Sequence, residues 1–555
     1  MRAESVHSPK PTSPSRLSRW FLAGGLIAAL LGIMAFGTFG VRKVAARTPL
    51  EVNQREAQPA PELDGGIAWL NTAGPIKMKD LKGKIVLLDF WTLCCINCIH
   101  ILPDLAKLEK KYPNELVVIG VHSAKFESEK DTKNIKQAIL RYEIAHPVIN
   151  DADHKIWDRY GVTSWPTMIA IDPEGNVAGA ISGEGNYETL DRFIADTIKK
   201  HKEKKTLDET PMRFDLVRYR EKGDTPLFFP GKVLADGLGN RLFVSDSTHH
   251  RVVVSDLAGN VSAVIGAGSP GNKDGGFAEA LFDDPQGLTV NGDTLYVADR
   301  KNHTIRAVDL KAKHVTTIAG TGKQEGDASS RGRTRPVGAK EIGLNSPWDL
   351  LLVGQTIYIA MAGHHQIWTL DLAKNELLPF AGNGRENIKD GPLYASNFAQ
   401  PSGLATDGEF LYVADSEVSA IRKVPLNGQG RVSTLVGEGL FEFGDKDGIG
   451  DAARLQHALG IAFHNGKLLI ADTYNDKLKW LDPKSRELTS FLGDKKLNTF
   501  DEPAGVSIAN GKAYVADTNA NRIRVVNLTT KEVSTLEFKG LKPPPPQKEW
   551  QPPMK

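Results

Sequence analysis

Cysteine is almost missing from this 555-residue chain: there are three, Cys94, Cys95 and Cys98, all inside the stretch WTLCCINCIH. A structural zinc centre normally needs two separated pairs, and no second pair exists. No thiol elsewhere could mispair, which suits an oxidising compartment. An excess of charge of one sign is also missing, since 69 Lys and Arg against 67 Asp and Glu leave +2. That balance gives no electrostatic footprint for nucleic acid, and no nucleic-acid partner is expected. Long apolar runs are scarce as well. One, Phe21 to Val41, carries no charge and is flanked by Arg16, Arg19, Arg42 and Lys43. It is long enough to span a bilayer, whereas the apolar core of a cleaved signal peptide is usually about 7–15 residues. The expectation is an uncleaved single-pass membrane anchor with the bulk of the chain on the periplasmic, extracytoplasmic side.

What is present reads as several domains, because single cores stop growing near about 250–300 residues. Beyond a tail at 1–20 and the anchor at 21–41, residues 42–61 are polar, with Pro and Ala and no apolar periodicity, as in a linker. From 62 to 201 strand and helix patterns alternate. KIVLLDFW and ELVVIGV are buried strands, Pro103 to Lys111 and Thr132 to Tyr142 have helical spacing, TMIAID and VAGAI form a hairpin around PEGN, and Glu188 to Lys200 is amphipathic. That order predicts an α/β layer with a partly parallel sheet.

After a charged linker at 202–224 the helical pattern stops and a motif recurs: RLFVSDSTHHRVVVSDL from Arg241, TLYVADRKNHTIRAVDL from Thr294, TIYIAMAGHHQIWTLDL from Thr356, and further copies from Phe410, Lys467 and Lys512. Each follows a Pro/Gly segment such as DPQGLTV or EPAGVSI. Four short strand patterns per copy, repeated at the spacing of propeller blades, predict an all-β six-bladed β-propeller over 225–537, since a lone blade cannot bury both faces. The Asp, Asn, His and following branched residue of ADRKNHTI resemble the NHL repeat. The tail at 538–555 is too rich in proline to join a sheet and is expected to run extended and exposed.

The chemistry is expected in Cys95-Ile-Asn-Cys98, between the strand VLLDFW and a helix. A helix N-terminus stabilises a thiolate, which makes Cys95 the nucleophile. Cys98, one turn on, can resolve a mixed disulfide. Asp89, inside the apolar strand, should have a raised pKa suited to moving the proton of the resolving thiol.

Residues 62–201 resemble the thioredoxin superfamily, in particular its membrane-tethered thiol-disulfide oxidoreductases, through VLLDFW, the CxxC, the Trp-Pro turn of GVTSWPTMIAIDPEGN and the terminal hairpin and helix. The resemblance implies a cis proline at Pro166 opposite the cysteines, with the Trp165 backbone free to pair with an extended substrate. It implies protein thiols or disulfides as substrates, an unidentified redox partner protein, and neither cofactor nor metal. Asn97 and Cys94 stand where the commonest thioredoxin motif has Pro and Trp, and the dipeptide between the cysteines tunes a potential that spans about 150 mV, roughly 7 kcal/mol, in such proteins. The redox direction is left open. The pairing of the two domains and the CCINC are similar to the NHL repeat-containing protein 2 family, whose larger members carry a further β-rich C-terminal domain. This sequence ends in the proline tail, so any function of that domain is expected to be absent.

Other readings compete. The dithiol could be a structural disulfide or a vestige on a non-catalytic scaffold. Cys94, Cys95, Cys98 and His100 could hold a metal, although adjacent cysteines point apart at a helix start. Cys94 reads as a small packed side chain. In the propeller His249, Asn302, His364 and Asn475 share one column of the repeat, and His250, His303 and His365 the next. Recurrence by blade favours turn-forming hydrogen bonds over a convergent site. A metal-dependent lyase or hydrolase centre at His250, His303 and His365 is the minority reading, by analogy with a peptide-amidating lyase. Asp246, Asp299, Asp415, Asp472 and Asp517 read as turn caps, and Met361 breaks their column.

Overall fold

The structure is a computed structural model that describes residues 58–217, 224–326, 335–493 and 497–545. The segment Phe21–Val41 lies outside the described residues, and among the described residues no helix is long and apolar enough to cross a membrane.

The first domain is a six-stranded sheet of β1 (Ala68–Leu70), β2 (Ile85–Trp91), β3 (Leu116–His122), β4 (Val148–Asn150), β5 (Thr167–Ile171) and β6 (Val177–Ser182), in the order β1-β4-β3-β2-β5-β6. β2, β3 and β4 run parallel, while β1, β5 and β6 are antiparallel to their neighbours. Alternation along β2 divides its side chains between the two faces. Ile85, Leu87 and Trp91 join the core beneath α1 (Ile96–Lys111), α2 (Thr132–Arg141) and α4 (Tyr187–Glu203). Val86, Leu88 and Phe90 join the core against α3 (Lys155–Arg159). The helical spacing from Pro103 marks only the second half of α1, which starts at Ile96 and keeps Pro103 inside it. Residues beyond α4 lie back on this domain. Lys84 Nζ donates to the carbonyls of Asp208 and Thr210 at 2.7 and 2.5 Å, and Val217 N–H donates to Asn71 Oδ1 at 2.7 Å.

The rest folds, among the described residues, into six antiparallel sheets arranged as blades. Their innermost strands are Pro230–Asp236, Pro285–Asn291, Pro347–Val353, Pro401–Thr406, Gly460–His464 and Pro503–Ala509. The Pro/Gly segments of the repeat are these strands, and the glycine is needed because the backbones converge. A Cβ on Gly287 would lie 2.4 Å from Asp349 Cα, and one on Gly505 2.7 Å from Lys232 Cα. At this ring of positions blades 2, 4, 5 and 6 have Gly287, Gly403, Gly460 and Gly505, while blades 1 and 3 have Lys232 and Asp349. Those two fill the space the glycines leave. Lys232 Nζ meets Asp349 Oδ2 at 3.2 Å and donates to Ser402 O at 2.6 Å and Leu459 O at 2.8 Å, so one ammonium ties four blades.

The ring closes without a strand shared between first and last sheets. Asn521 Oδ1 accepts Phe229 N–H at 2.7 Å, Thr518 Oγ1 donates to Pro230 O at 2.8 Å, and Lys539 N–H donates to Gly259 O at 3.0 Å. The start of the proline tail, expected to run exposed, therefore lies on blade 1, where Leu541 is buried.

The recurring Asp residues cap the blades. One oxygen accepts the N–H of Phe228, Asp283, Ala399, Gln456 or Asp501 at 2.6–2.8 Å, and the other faces a cation, as in Asp299–Arg306 at 2.7 Å and Asp415–Arg422 at 3.0 Å. In blade 3 both partners change together. Met361 Sδ accepts Asn345 N–H at 3.4 Å, and Trp368 takes the place of the arginine; both side chains are fully buried. Met361→Asp is therefore expected to bury a carboxylate without a cation and to lower the unfolding free energy by about 3–5 kcal/mol, a loss that adding Trp368→Arg at least halves. Denaturant titration of the single and double variants checks this, and a double variant no better than the single would count against the pairing.

Candidate active site

The site is built at the start of α1. Cys95 is its N-cap residue, with extended backbone, and its sulfur accepts the Cys98 N–H at 3.4 Å. The three cysteines are unbridged. Cys98 is fully buried and in direct side-chain contact with Cys95, while Cys95 is part-exposed. Burial, reinforced by Cys95, pushes the Cys98 thiol well above its ordinary value.

Asp89 lies close enough to contribute to that shift. It occupies the row of β2 that faces α1, is fully buried, and among the described residues neither carboxylate oxygen meets a hydrogen-bond partner. Burial pushes its carboxyl up to about 7, with His146 opposing. The Trp165–Pro166 bond is cis, and the Trp165 ring packs on Trp157 at 4.6 Å.

Three groups unmarked by any sequence motif complete the surroundings. Glu129, itself buried, accepts the N–H groups of Cys94, Lys125 and Phe126 at 2.9, 2.9 and 3.0 Å and the Thr92 hydroxyl at 2.6 Å, fixing the loop that leads into the cysteines. The other two come from the propeller. Gln400 bonds the backbone on both sides of Cys95, and Glu417 Oε1 meets Cys94 Sγ at 3.6 Å and Lys125 Nζ at 2.7 Å. No local pattern reveals them, because Glu417 and Gln400 are more than 300 positions from Cys94 and Cys95 in sequence. The cysteine-bearing face is set against the propeller. Ile96 packs with Trp348, Ala362, Leu459 and Ala504 at the end of the axis. Phe126, fully buried, packs among Phe443, His457 and Tyr474 at 4.7, 5.3 and 5.5 Å, and Arg141 pairs with Glu502 at 2.8 Å. Cys94 is packed at this boundary, and burial with Glu129 and Glu417 pushes its thiol up.

The structure does not bring His250, His303 and His365 together. They stand in blades 1, 2 and 3, each in the left-handed region with φ of 50–53°, and their Nδ1 atoms accept the N–H of Asp284, Ser346 and Gln400 at 3.2, 3.0 and 3.1 Å. Ser419, Asp476 and Asn521 accept the corresponding N–H groups in the other three blades at 3.0, 2.8 and 2.7 Å. The column is a latch from blade to blade, and imidazole is one of several side chains that can make it. In the neighbouring column His249, Asn302 and Asn475 bond Asp246, Asp299 and Asp472 at 2.9, 2.8 and 2.8 Å, and His364 stacks on Trp368. Nor do Cys94, Cys95, Cys98 and His100 form one donor set. His100 turns away to Glu184 at 2.5 Å and Ser346 Oγ at 2.7 Å, and among the described residues only Asp172, Glu174 and His201 gather three donor atoms within 4.8 Å.

Fold and site together define a thioredoxin-like domain carrying a dithiol, joined to a six-bladed NHL propeller that covers its cysteine-bearing face. Family models match accordingly: thioredoxin-like over residues 83–177 and NHL repeat over 282–307. The chain belongs to the NHL repeat-containing protein 2 family. It is 42% identical over 525 residues to NHL repeat-containing protein 2 of Gallus gallus, covering 86% of this chain and 71% of that protein. It is 43% identical over 525 residues to the chloroplastic protein SUPPRESSOR OF QUENCHING 1 of Arabidopsis thaliana, covering 89% of this chain and 49% of that one. Its thioredoxin-like part is 30% identical over 138 residues to the thiol-disulfide oxidoreductase YkuV of Bacillus subtilis, covering 25% of this chain and 92% of that protein.

Asp89 generates a pH prediction. The folded chain keeps its proton up to about pH 7, whereas the unfolded chain loses it near 3.8. Between these values the folded state binds more protons, so this carboxyl makes stability fall as pH rises. The whole difference is on the order of 4 kcal/mol. Asp89→Asn is expected to leave stability unchanged near pH 4 and to raise it progressively toward that amount by pH 8, measured by denaturant unfolding. A difference that stays flat across this range would remove Asp89 as a buried ionisable group.

Proposed function

We propose that the chain is a thiol-disulfide oxidoreductase acting through Cys95 and Cys98, with the propeller as a protein-docking module. The observation that carries the reading is the buried, unpartnered Asp89 on the α1 face of β2, close enough to raise the Cys98 thiol, beneath a helix that begins at Cys95. It is supported by the likeness of this domain to YkuV.

In the reducing direction the Cys95 thiolate attacks one sulfur of a substrate disulfide. A Cys95–substrate disulfide forms, and the substrate's other sulfur leaves as a thiolate. Cys98 then gives its proton to Asp89 and attacks Cys95 Sγ. The mixed disulfide breaks, the second substrate thiolate leaves, and Cys95–Cys98 closes into a disulfide, two electrons having passed to the substrate. A dithiol partner protein restores the starting state by the same chemistry. The steps run backwards for an oxidase, and both directions need a carboxyl that can hold and return a proton near neutral pH. The proposal includes an anchor at Phe21–Val41 that keeps both domains at a membrane surface on its periplasm-like side, supported by the length and flanking charge of that run.

A binding scaffold is the second reading, favoured by the burial of Ile96 and Cys94 against the propeller. Trapping separates the two. Cys98→Ser is expected to accumulate mixed disulfides through Cys95, and Cys95→Ser to lose insulin-disulfide reduction or dithiol oxidation by at least a hundredfold. Equal turnover in wild type and Cys95→Ser would eliminate the oxidoreductase reading.

A further inference from the structure

The N–H groups at the start of a helix have no intrahelical acceptor and are what stabilises a thiolate there. In α1 the first of them, Ile96 N–H, is donated to Gln400 Oε1 at 2.9 Å, and Gln400 Nε2 donates to Cys94 O at 3.0 Å. One carboxamide thus grips the peptide on both sides of Cys95. Gln400 is 1% exposed, and its own N–H donates to His365 Nδ1 at 3.1 Å, so the side chain projects from a fixed turn in the left-handed region (φ 62°). The turn itself does not call for glutamine. The equivalent positions of the other blades hold Phe229, Asp284, Ser346, His457 and Glu502, all with φ of 46–57°. The amide answers to the cysteines, not to the blade.

The electrostatic setting is made by both domains. Glu417 and Glu386 of the propeller face Lys125, Glu129, from the segment after β3, accepts the Lys125 N–H at 2.9 Å, and His457 stands beside Glu417 at 3.9 Å. Asp89 lies near Cys98 with His146 beside Asp89, and the His100–Glu184 pair lies one turn along α1.

We infer that Gln400 is a positioning residue for the redox couple: it fixes the Cys94–Ile96 peptide and draws the first N–H of α1 away from the Cys95 sulfur, so that the propeller sets the potential of the dithiol. This rests on the exchange reading above. Removing the acceptor returns one N–H to the helix start, which favours the thiolate, stabilises the reduced form and makes the couple more oxidising.

The test uses the full chain. The equilibrium of Cys95–Cys98 with reduced and oxidised glutathione is read by alkylation and mass, and the alkylation rate of Cys95 is followed against pH. Gln400→Ala is expected to shift the equilibrium constant at least threefold toward the dithiol, about 14 mV for a two-electron couple, and to speed alkylation at pH 7. Gln400→Glu, which sets a carboxylate at the helix start, is expected to move both readings the other way. Should that variant not fold, Gln400→Asn, whose shorter side chain stops short of Ile96, is expected to behave as Gln400→Ala. Wild-type constants in a folded Gln400→Ala would overturn the inference and leave the exchange reading standing, as would shifts of the same sign in Ala and Glu variants, which would signal a loosened interface. A wild type that forms no Cys95–Cys98 disulfide at any glutathione ratio would instead sink the exchange reading, and this inference with it.

Discussion

The structure turns on the burial of Ile96. This side chain, the first residue after Cys95, is 2% exposed in a nest of Trp348, Ala362, Leu459 and Ala504 drawn from blades 3, 5 and 6. Burying an isoleucine stabilises by roughly 1.5–3 kcal/mol, and the position of this one matters more than its size. It sits over the ring in which four glycines make room for the Lys232–Asp349 pair. The axis of the propeller is therefore filled from both domains, and α1 can dock only with its N-terminus against the blades.

From that constraint the remaining contacts follow. With α1 held at the axis, the loop after β3 brings Phe126 to blade 5 and Lys125 to Glu417, and the end of α2 brings Arg141 to Glu502. Two buried ion pairs across a boundary are costly to desolvate and more costly to break singly, so they specify one arrangement of the domains more than they add stability. Lys125 and His457 hold the Glu417 carboxyl below its usual value despite burial, which keeps a negative charge beside Cys94. The dithiol consequently works in a field to which the second domain contributes.

Much of this was legible from residues near one another in sequence. The strand VLLDFW, the CxxC at a helix start, Asp89 in the apolar strand and the six repeats all express periodicity or spacing within a few tens of residues. The repeat even carried the answer to its histidines. Ser419, Asp476 and Asn521 occupy the same column, so the position asks for a hydrogen-bond acceptor in a left-handed turn, not for imidazole. Met361 was visible as a break in the Asp column, but its reason needed Trp368 beside it in the folded blade. The placement of Gln400 and Glu417 was not legible. Each looks like one more residue of the repeat, and its role arises from a contact across some 300 positions.

The sequence by itself determined the two kinds of domain and the place of the dithiol at a helix start, because helix starts, strand alternation and blade repeats are local responses of the backbone to side-chain pattern. Only the tertiary structure decided that the propeller faces the cysteines, that Ile96 closes the axis, and which side chains surround Cys95. Those are matters of surface fitting between separately folded units, and no periodicity within either unit encodes them.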